Sequence, residues 1–227
     1  MFEFKDLKDK IKDKRLILFG ELHGTNEIPI NLSKFFSEFA KTEDFNVCLE
    51  IPEEFQKQIE EFMRGDNIEI LEKIRFFGEG NNSDGRGSIE YLDLIKNLYL
   101  LNKKYNRNIK IFFVDSNGTT QNERENRIAE NILKHIENKK IFAILGEIHA
   151  SKNQLLMAGL NITPAGFILF NKLKEKMFSI RIAPIKGKFF NFGVKEIAED
   201  FSRNLFNKNF DYICNIGEVS ICSFYKK

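Results

Sequence analysis

Most of the signatures by which a chain announces its chemistry are missing from these 227 residues. There is no G-x-S-x-G elbow, which removes the usual serine hydrolase. No Walker A pattern is present, and the glycines nowhere fall as G-x-G-x-x-G after a strand, so nucleotide binding has no support. The three cysteines, Cys48, Cys214 and Cys222, lack C-x-x-C spacing and sit in apolar, strand-like settings. That argues against a thiolate metal site or a disulfide framework and for reduced thiols in a cytoplasm-like compartment. Charge of one sign is lacking too. Lys plus Arg total 35 against 33 Asp plus Glu, and a net +2 gives no field to draw nucleic acid or an anionic membrane. The opening MFEFKDLKDKIKDK has no apolar core and carries acids, unlike a signal or transit peptide. No run approaches the length of a membrane span. The expectation is a single domain over residues 1–227, cytoplasmic, with export by another route left open. Its partner is a small-molecule or peptide substrate, not nucleic acid or membrane. Tryptophan is absent while phenylalanine numbers 24, from which no function follows.

Histidine is scarce as well, and two of the three occupy matching places. Arg15 to Pro29 reads RLILFGELHGTNEIP, and Lys140 to Ala150 reads KIFAILGEIHA. Each is an unbroken apolar run of strand length that stops at Gly and continues as Glu-x-His: Gly20-Glu21-Leu22-His23 and Gly146-Glu147-Ile148-His149. Such runs fit strands covered on both faces in a parallel sheet, where ligands bind beyond the carboxyl ends. The echo therefore proposes a fold and a site together.

Along the chain, Phe4 to Lys14 reads as a short amphipathic helix, Ile28 to Ala40 as a helix, and Phe45 to Glu50 as a strand ending on a carboxylate. Pro52 can open a helix with Phe55, Ile59 and Phe62 on one face, and Asn67 to Phe77 is a second amphipathic piece. Gly78 to Gly87, GEGNNSDGRG, is the most turn-rich segment and presents Asp84 and Arg86. Ser88 is a plausible N-cap for a helix through Leu101. Ile109 to Val114 is a strand ending in Asp115, and a helix runs from about Asn122 to Glu137 with Arg124 and Arg127 in its first turns. The β-α repetition gives an α/β class: three layers, a mostly parallel central sheet flanked by helices. Farther on, Thr163-Pro164 opens a helix to Lys174, Phe178 to Ile182 reads as a strand and Val194 to Asn204 as a helix. Phe210 to Cys214 and Val219 to Phe224 read as a closing C-terminal hairpin.

Strand ends alone bring acceptors together: Glu21 and His23, Glu50, Asp115, and His149 with Glu147. Imidazole with carboxylates is a donor set for zinc, manganese or iron, which makes Glu21, His23, Glu50, Asp115 and His149 candidate metal ligands. Without metal, the same groups can position and deprotonate a water. Clustered carboxylates repel unless a cation offsets them, and Arg86, Arg124 and Arg127 are candidates. Each residue also has a bland reading as a helix cap or a solvated charge. The bland reading weakens for the set, because four successive strand ends would carry acids or histidines by chance. His135, mid-helix between Leu133 and Ile136, reads as structural.

Gly20-Glu21-Leu22-His23-Gly24, Leu49-Glu50-Ile51-Pro52, Asp84-Gly85-Arg86-Gly87-Ser88, Val114-Asp115, Arg124 with Arg127, and Gly146 to Ala150 resemble the erythromycin esterase/ChaN/Tiki superfamily. The similarity spans roughly Arg15 to Ala150. ChaN-like proteins share the motif order, but this chain carries Glu147 where Asn is usual. The resemblance implies a three-layer α/β fold with one pocket at the strand ends. In its esterase-like members a histidine base opens a macrolide lactone, a role that falls here on His23. In its Tiki-like members two G-x-x-H motifs serve a metal-dependent protease; ChaN binds haem. A hydrolase is the leading expectation, with His23, Glu21, Glu50, His149, Arg86 and Arg124 as catalytic residues and a divalent metal as a candidate cofactor. The alternative is a haem or small-molecule binder walled by Phe76, Phe77 and Tyr91.

Overall fold

The computed structural model describes residues 4–65, 67–78, 83–136, 139–157, 159–197 and 205–224. The two echoed runs form β1 (Leu16–Glu21) and β4 (Lys140–Gly146), paired in parallel from Leu16↔Ile141 to Glu21↔Gly146. On the far side of β4 stands β2 (Phe45–Pro52), and beyond it β3 (Lys110–Asp115), both parallel. β4, late in sequence, is thus inserted between β1 and β2. The spatial order β3-β2-β4-β1 sets the carboxyl ends of four strands side by side, and Asp115, Glu50, Gly146 and Glu21 follow one another along that edge.

Side-chain alternation along each strand builds two cores. Ile17 and Phe19 of β1 face one side with α1 (Phe4–Ile11), α2 (Glu27–Phe39), α3 (Gln56–Gly65), α4 (Ile68–Glu72) and α5 (Ile89–Tyr105). Leu16 and Leu18 face the other, against α6 (Gln121–Leu133) and α7 (Ala165–Leu173). The first core is aromatic at its centre: the Phe142 ring of β4 meets Phe19, Phe35, Phe36, Phe39 and Phe45 at centroid distances of 4.9–6.1 Å. Residues 16–19 are fully buried, as a strand covered on both faces must be. Helix starts follow local chemistry. Ser88 Oγ accepts the N–H of Tyr91, and Thr120 Oγ1 accepts that of Glu123.

The fold class is therefore the one the sequence implies, but the last third departs in detail. An antiparallel hairpin exists, built by β5 (Leu155–Met157) and β6 (Leu160–Ile162) between β4 and α7. The expected strand at Phe178 runs much farther, as β7 (Met177–Phe190), parallel to β1. The expected helix from Val194 begins instead as β8 (Val194–Glu196), antiparallel to the end of β7, and residues 198–204 lie outside the described ones. The proposed C-terminal hairpin is one continuous strand, β9 (Tyr212–Val219), parallel to β7. Its Asn215 to Glu218 segment reads as a turn in isolation, but the long free edge of β7 offers ladder hydrogen bonds that hold it extended. Pro52 ends β2 rather than opening a helix, with a single 3₁₀ turn before α3. In the turn-rich segment, residues 79–82 lie outside the described ones, as does Glu137 beyond α6.

Candidate functional site

The seven residues singled out at strand ends and loops, Glu21, His23, Glu50, Arg86, Asp115, Arg124 and His149, form one connected cluster. Glu21 closes β1, and its Oε1 lies 2.6 Å from His23 Nδ1. His149, just past β4, repeats the arrangement: its Nδ1 lies 2.7 Å from Oε1 of Glu125 on α6. Each imidazole thus has one nitrogen tied to a buried carboxylate. The other nitrogens converge on Glu50 at the end of β2, with His23 Nε2 3.5 Å from Oε2 and His149 Nε2 3.3 Å from Oε1. The main-chain N–H of Gly146 donates to Glu50 Oε2 at 2.7 Å. A Cβ on Gly146 would stand 2.8 Å from His23 Nε2, so the glycine that breaks the β4 run also makes room for the imidazole.

Two guanidinium groups fill the remaining valences. Arg86 Nη1 donates to Glu50 Oε1 at 2.8 Å, to the Glu50 carbonyl at 2.8 Å and to Asp115 Oδ2 at 2.9 Å, while its Nε is held by Asp84. Arg124 grips Asp115 with Nε at 2.8 Å and Nη2 at 2.8 Å, and Nη2 also reaches Glu50 Oε1 at 2.9 Å. Its Nη1 lies 3.1 Å from His149 Nε2.

These contacts shift the proton affinities of the cluster. Burial alone would lower the pKa of His23, but the carboxylates of Glu21 and Glu50 outweigh it and push it up to about 10. His149 is raised as well, with Glu50 and Glu125 overcoming burial and the nearby Arg124. Burial would raise Glu50, yet His149, Arg86 and His23 hold it well below the ordinary carboxylate range. Asp84 and Asp115 are lowered in the same way by the cations around them. The cluster interleaves carboxylates with imidazole and guanidinium groups in one lattice, part-open to solvent through His23, Arg124 and Asp84.

Residues named from the sequence but placed outside this lattice are Glu147, Arg127 and His135. Glu147 pairs with Arg181 of β7 at 2.9 Å, and the arginine is 0% exposed. The Glu147 N–H donates to the Glu21 carbonyl at 2.9 Å, so it ties the two echoed loops together through its backbone. Arg127 donates to the carbonyl of Asn117. His135 stacks on Phe112 at 3.6 Å, consistent with a structural role. The sequence reading missed Glu125 as the partner of His149 and Tyr91 as a donor to Glu21. Helical spacing contained the first signal: Glu125 shares a face with Ile128 and Ile132, a buried stripe in which an acid needs a partner.

The donor set does not fit a metal. Among the described residues no group of three or more His, Cys, Asp or Glu is disposed to hold one. The oxygens that would ligate, on Glu50 and Asp115, already carry the guanidinium groups of Arg86 and Arg124, and a divalent ion there would face two fixed positive charges. In this arrangement Glu50 and Asp115 are taken up by the two arginines, Glu21 by His23 and His149 by Glu125, so the expected metal role of Glu21, His23, Glu50, Asp115 and His149 gains no support. Phe76, Phe77 and Tyr91 do not wall a slot for haem either: all three rings belong to the buried core.

No protein-family model and no curated protein sequence matches the chain. Solved structures do. A succinoglycan biosynthesis protein superposes with a TM-score of 0.74 at 12% identity, covering 99% of this chain and 93% of its own. A Bacillus cereus protein gives 0.71 at 10% identity, over 98% and 93%. An erythromycin esterase mutant, EreC in its open conformation, gives 0.65 at 10% identity, over 86% and 78%. The chain shares its fold with these three structures. At these identities the likeness concerns the fold alone, and it agrees with the resemblance carried by the motifs. Within that fold, the charge lattice of this chain sits at the carboxyl ends of β1, β2, β3 and β4. Among the described residues no helix is long and apolar enough to cross a membrane.

Proposed function

We propose that the chain is a hydrolase of carboxylic esters or lactones that activates water through His23 without a metal. The observation that carries this reading is the pair of imidazoles, each oriented by a buried carboxylate and both aimed at Glu50. Glu21 accepts from Nδ1 of His23, which leaves Nε2 as the nitrogen that takes a proton from water as the oxygen attacks the carbonyl. His149, its pKa raised, is the complementary acid: Nε2–H donates to the leaving alkoxide, and Glu125 steadies the charge. Arg124 Nη1, which lies beside His149 Nε2 rather than on a carboxylate, is placed to donate to the developing oxyanion. Glu50 and Asp115 keep the two arginines in register. In the resting site Glu50 also holds both Nε2 atoms, so substrate and water enter between the imidazoles and that carboxylate.

A panel of esters, lactones and peptides tests the proposal, assayed with the wild type, His23→Ala and His149→Ala. Ester or lactone turnover should fall by roughly 10²–10⁴-fold in each variant. In the wild type it should climb with pH toward about 10, as His23 loses its proton. Full turnover in His23→Ala removes the residue from the mechanism.

A further inference from the structure

One buried group beside His23 has no part in the steps above. Tyr91 lies in the first turn of α5 and is 4% exposed, its ring packed in the aromatic core. Its phenolic O–H nevertheless donates to Glu21 Oε1, the oxygen that also receives His23 Nδ1. Phenylalanine would fill that core position equally well, and a buried hydroxyl costs stability unless it is bonded. The other oxygen of Glu21, Oε2, is buried with no hydrogen-bond partner among the described residues. The carboxylate is therefore fixed at one atom, by two donors.

The turn that carries Tyr91 is itself held firmly. Ser88 Oγ accepts the Tyr91 N–H at 3.4 Å, and the N–H of Ile89 donates to the Ser223 carbonyl at 2.9 Å. Both oxygens of Glu90 accept from the N–H of Ser223 at 3.0 Å. Gly87 lies so close to the Phe76 main chain that a Cβ there would be 2.2 Å from its carbonyl oxygen. Burial and the neighbouring Glu21 push the phenol's pKa well above its ordinary value, so it remains a donor throughout the neutral range.

We propose that Tyr91 is the positioning residue of the first dyad: its hydroxyl locks the Glu21 carboxylate on His23 Nδ1, so that Nε2 is the nitrogen presented to water. The proposal rests on His23 acting as the base. It makes a signed prediction. When His23 is an imidazolium, Glu21 is already compensated; when His23 is neutral, Glu21 is a lone buried anion, and the Tyr91 hydrogen bond matters more. Removing the hydroxyl should therefore make His23 hold its proton more tightly. A purely structural loosening of α5 would do the reverse, separating the dyad and letting His23 fall toward its ordinary value. The other charges facing His23, from Glu50, Asp84 and Glu147, stay in place in either case.

The test is an NMR titration of the imidazole Cε1–H signals in full-length wild type and Tyr91→Phe. With three histidines in the chain, the His23 signal is assigned by its loss in His23→Gln. The midpoint, about 10 in the wild type, should rise by roughly half a unit to one unit in Tyr91→Phe. Turnover at pH 8 should fall about three- to tenfold with KM unchanged, the same shift read as a smaller neutral fraction of the base. Both effects should vanish when Tyr91→Phe is added to Glu21→Gln, since the hydroxyl acts through that carboxylate. An unmoved midpoint, a fall toward 6.5, or a shift that survives in the Glu21→Gln background overturns the proposal. If no substrate is turned over at all, the hydrolase reading fails, while the titration still decides the role of Tyr91.

Discussion

The His23 titration should be written into the stability of the protein. Its folded pKa of about 10 against an ordinary histidine value of 6.5 means that folding tightens proton binding. Linkage gives the sign: a raised histidine contributes stability that is fully present below about pH 6.5 and is lost as pH rises through about 10. Between those limits the loss is about 1.4 kcal/mol per pH unit, or roughly 5 kcal/mol in all. That is an upper bound, because Glu50 and His149 share the same protons, and it is still a large fraction of the total stability of a typical domain. The measurement is urea unfolding of the wild type and His23→Gln at several pH values from 6 to 10.5, taken as a difference so that lysine, tyrosine and cysteine titrations common to both cancel. The wild-type advantage should be greatest near pH 6 and shrink steadily toward pH 10. A difference that stays flat within about 0.5 kcal/mol across that window refutes the dyad as a charged pair.

Two further outcomes follow from the same geometry. Dialysis against EDTA should leave turnover within about twofold, because Arg86 and Arg124 occupy the carboxylates a metal would need; loss of activity that zinc or manganese restores would contradict this. Phe142→Ala, which empties the ring at the centre of five others, should cost about 3–5 kcal/mol and lower Tm by on the order of 10 °C. The His23 midpoint should not move in that variant, and a change in it would mean that core and site are coupled.

The sequence by itself determined the framework and the location of the site. The runs ending at Phe19 and Leu145 are apolar at every position, and those ending at Leu49 and Val114 are interrupted only by Asn46 and Lys110, because these strands are largely covered on both faces, and that pattern is local. Acids and imidazoles directly after such runs are legible for the same reason. Covalent continuity puts Glu21, Glu50, Asp115 and His149 within a few residues of the strand tips, whatever the rest of the chain does. The C-terminal third gave weaker signals. Tyr212–Val219 extends as a strand because β7 has an edge to fill, and nothing within those residues states that.

Which group touches which was decided only by tertiary structure. Insertion of β4 between β1 and β2 puts Glu50 between the two imidazoles, and no spacing along the chain encodes that order. Glu125 meets His149 across 24 residues, and Tyr91 meets Glu21 across 70. The source of positive charge beside the carboxylates was decided the same way. A sequence of acids and histidines is compatible with a bound metal, but the reach of Arg86 and Arg124 into the cluster supplies the positive charge from within the protein. Local pattern fixes where a side chain begins, whereas the partner that sets its charge and its pKa is chosen by the packing of distant segments.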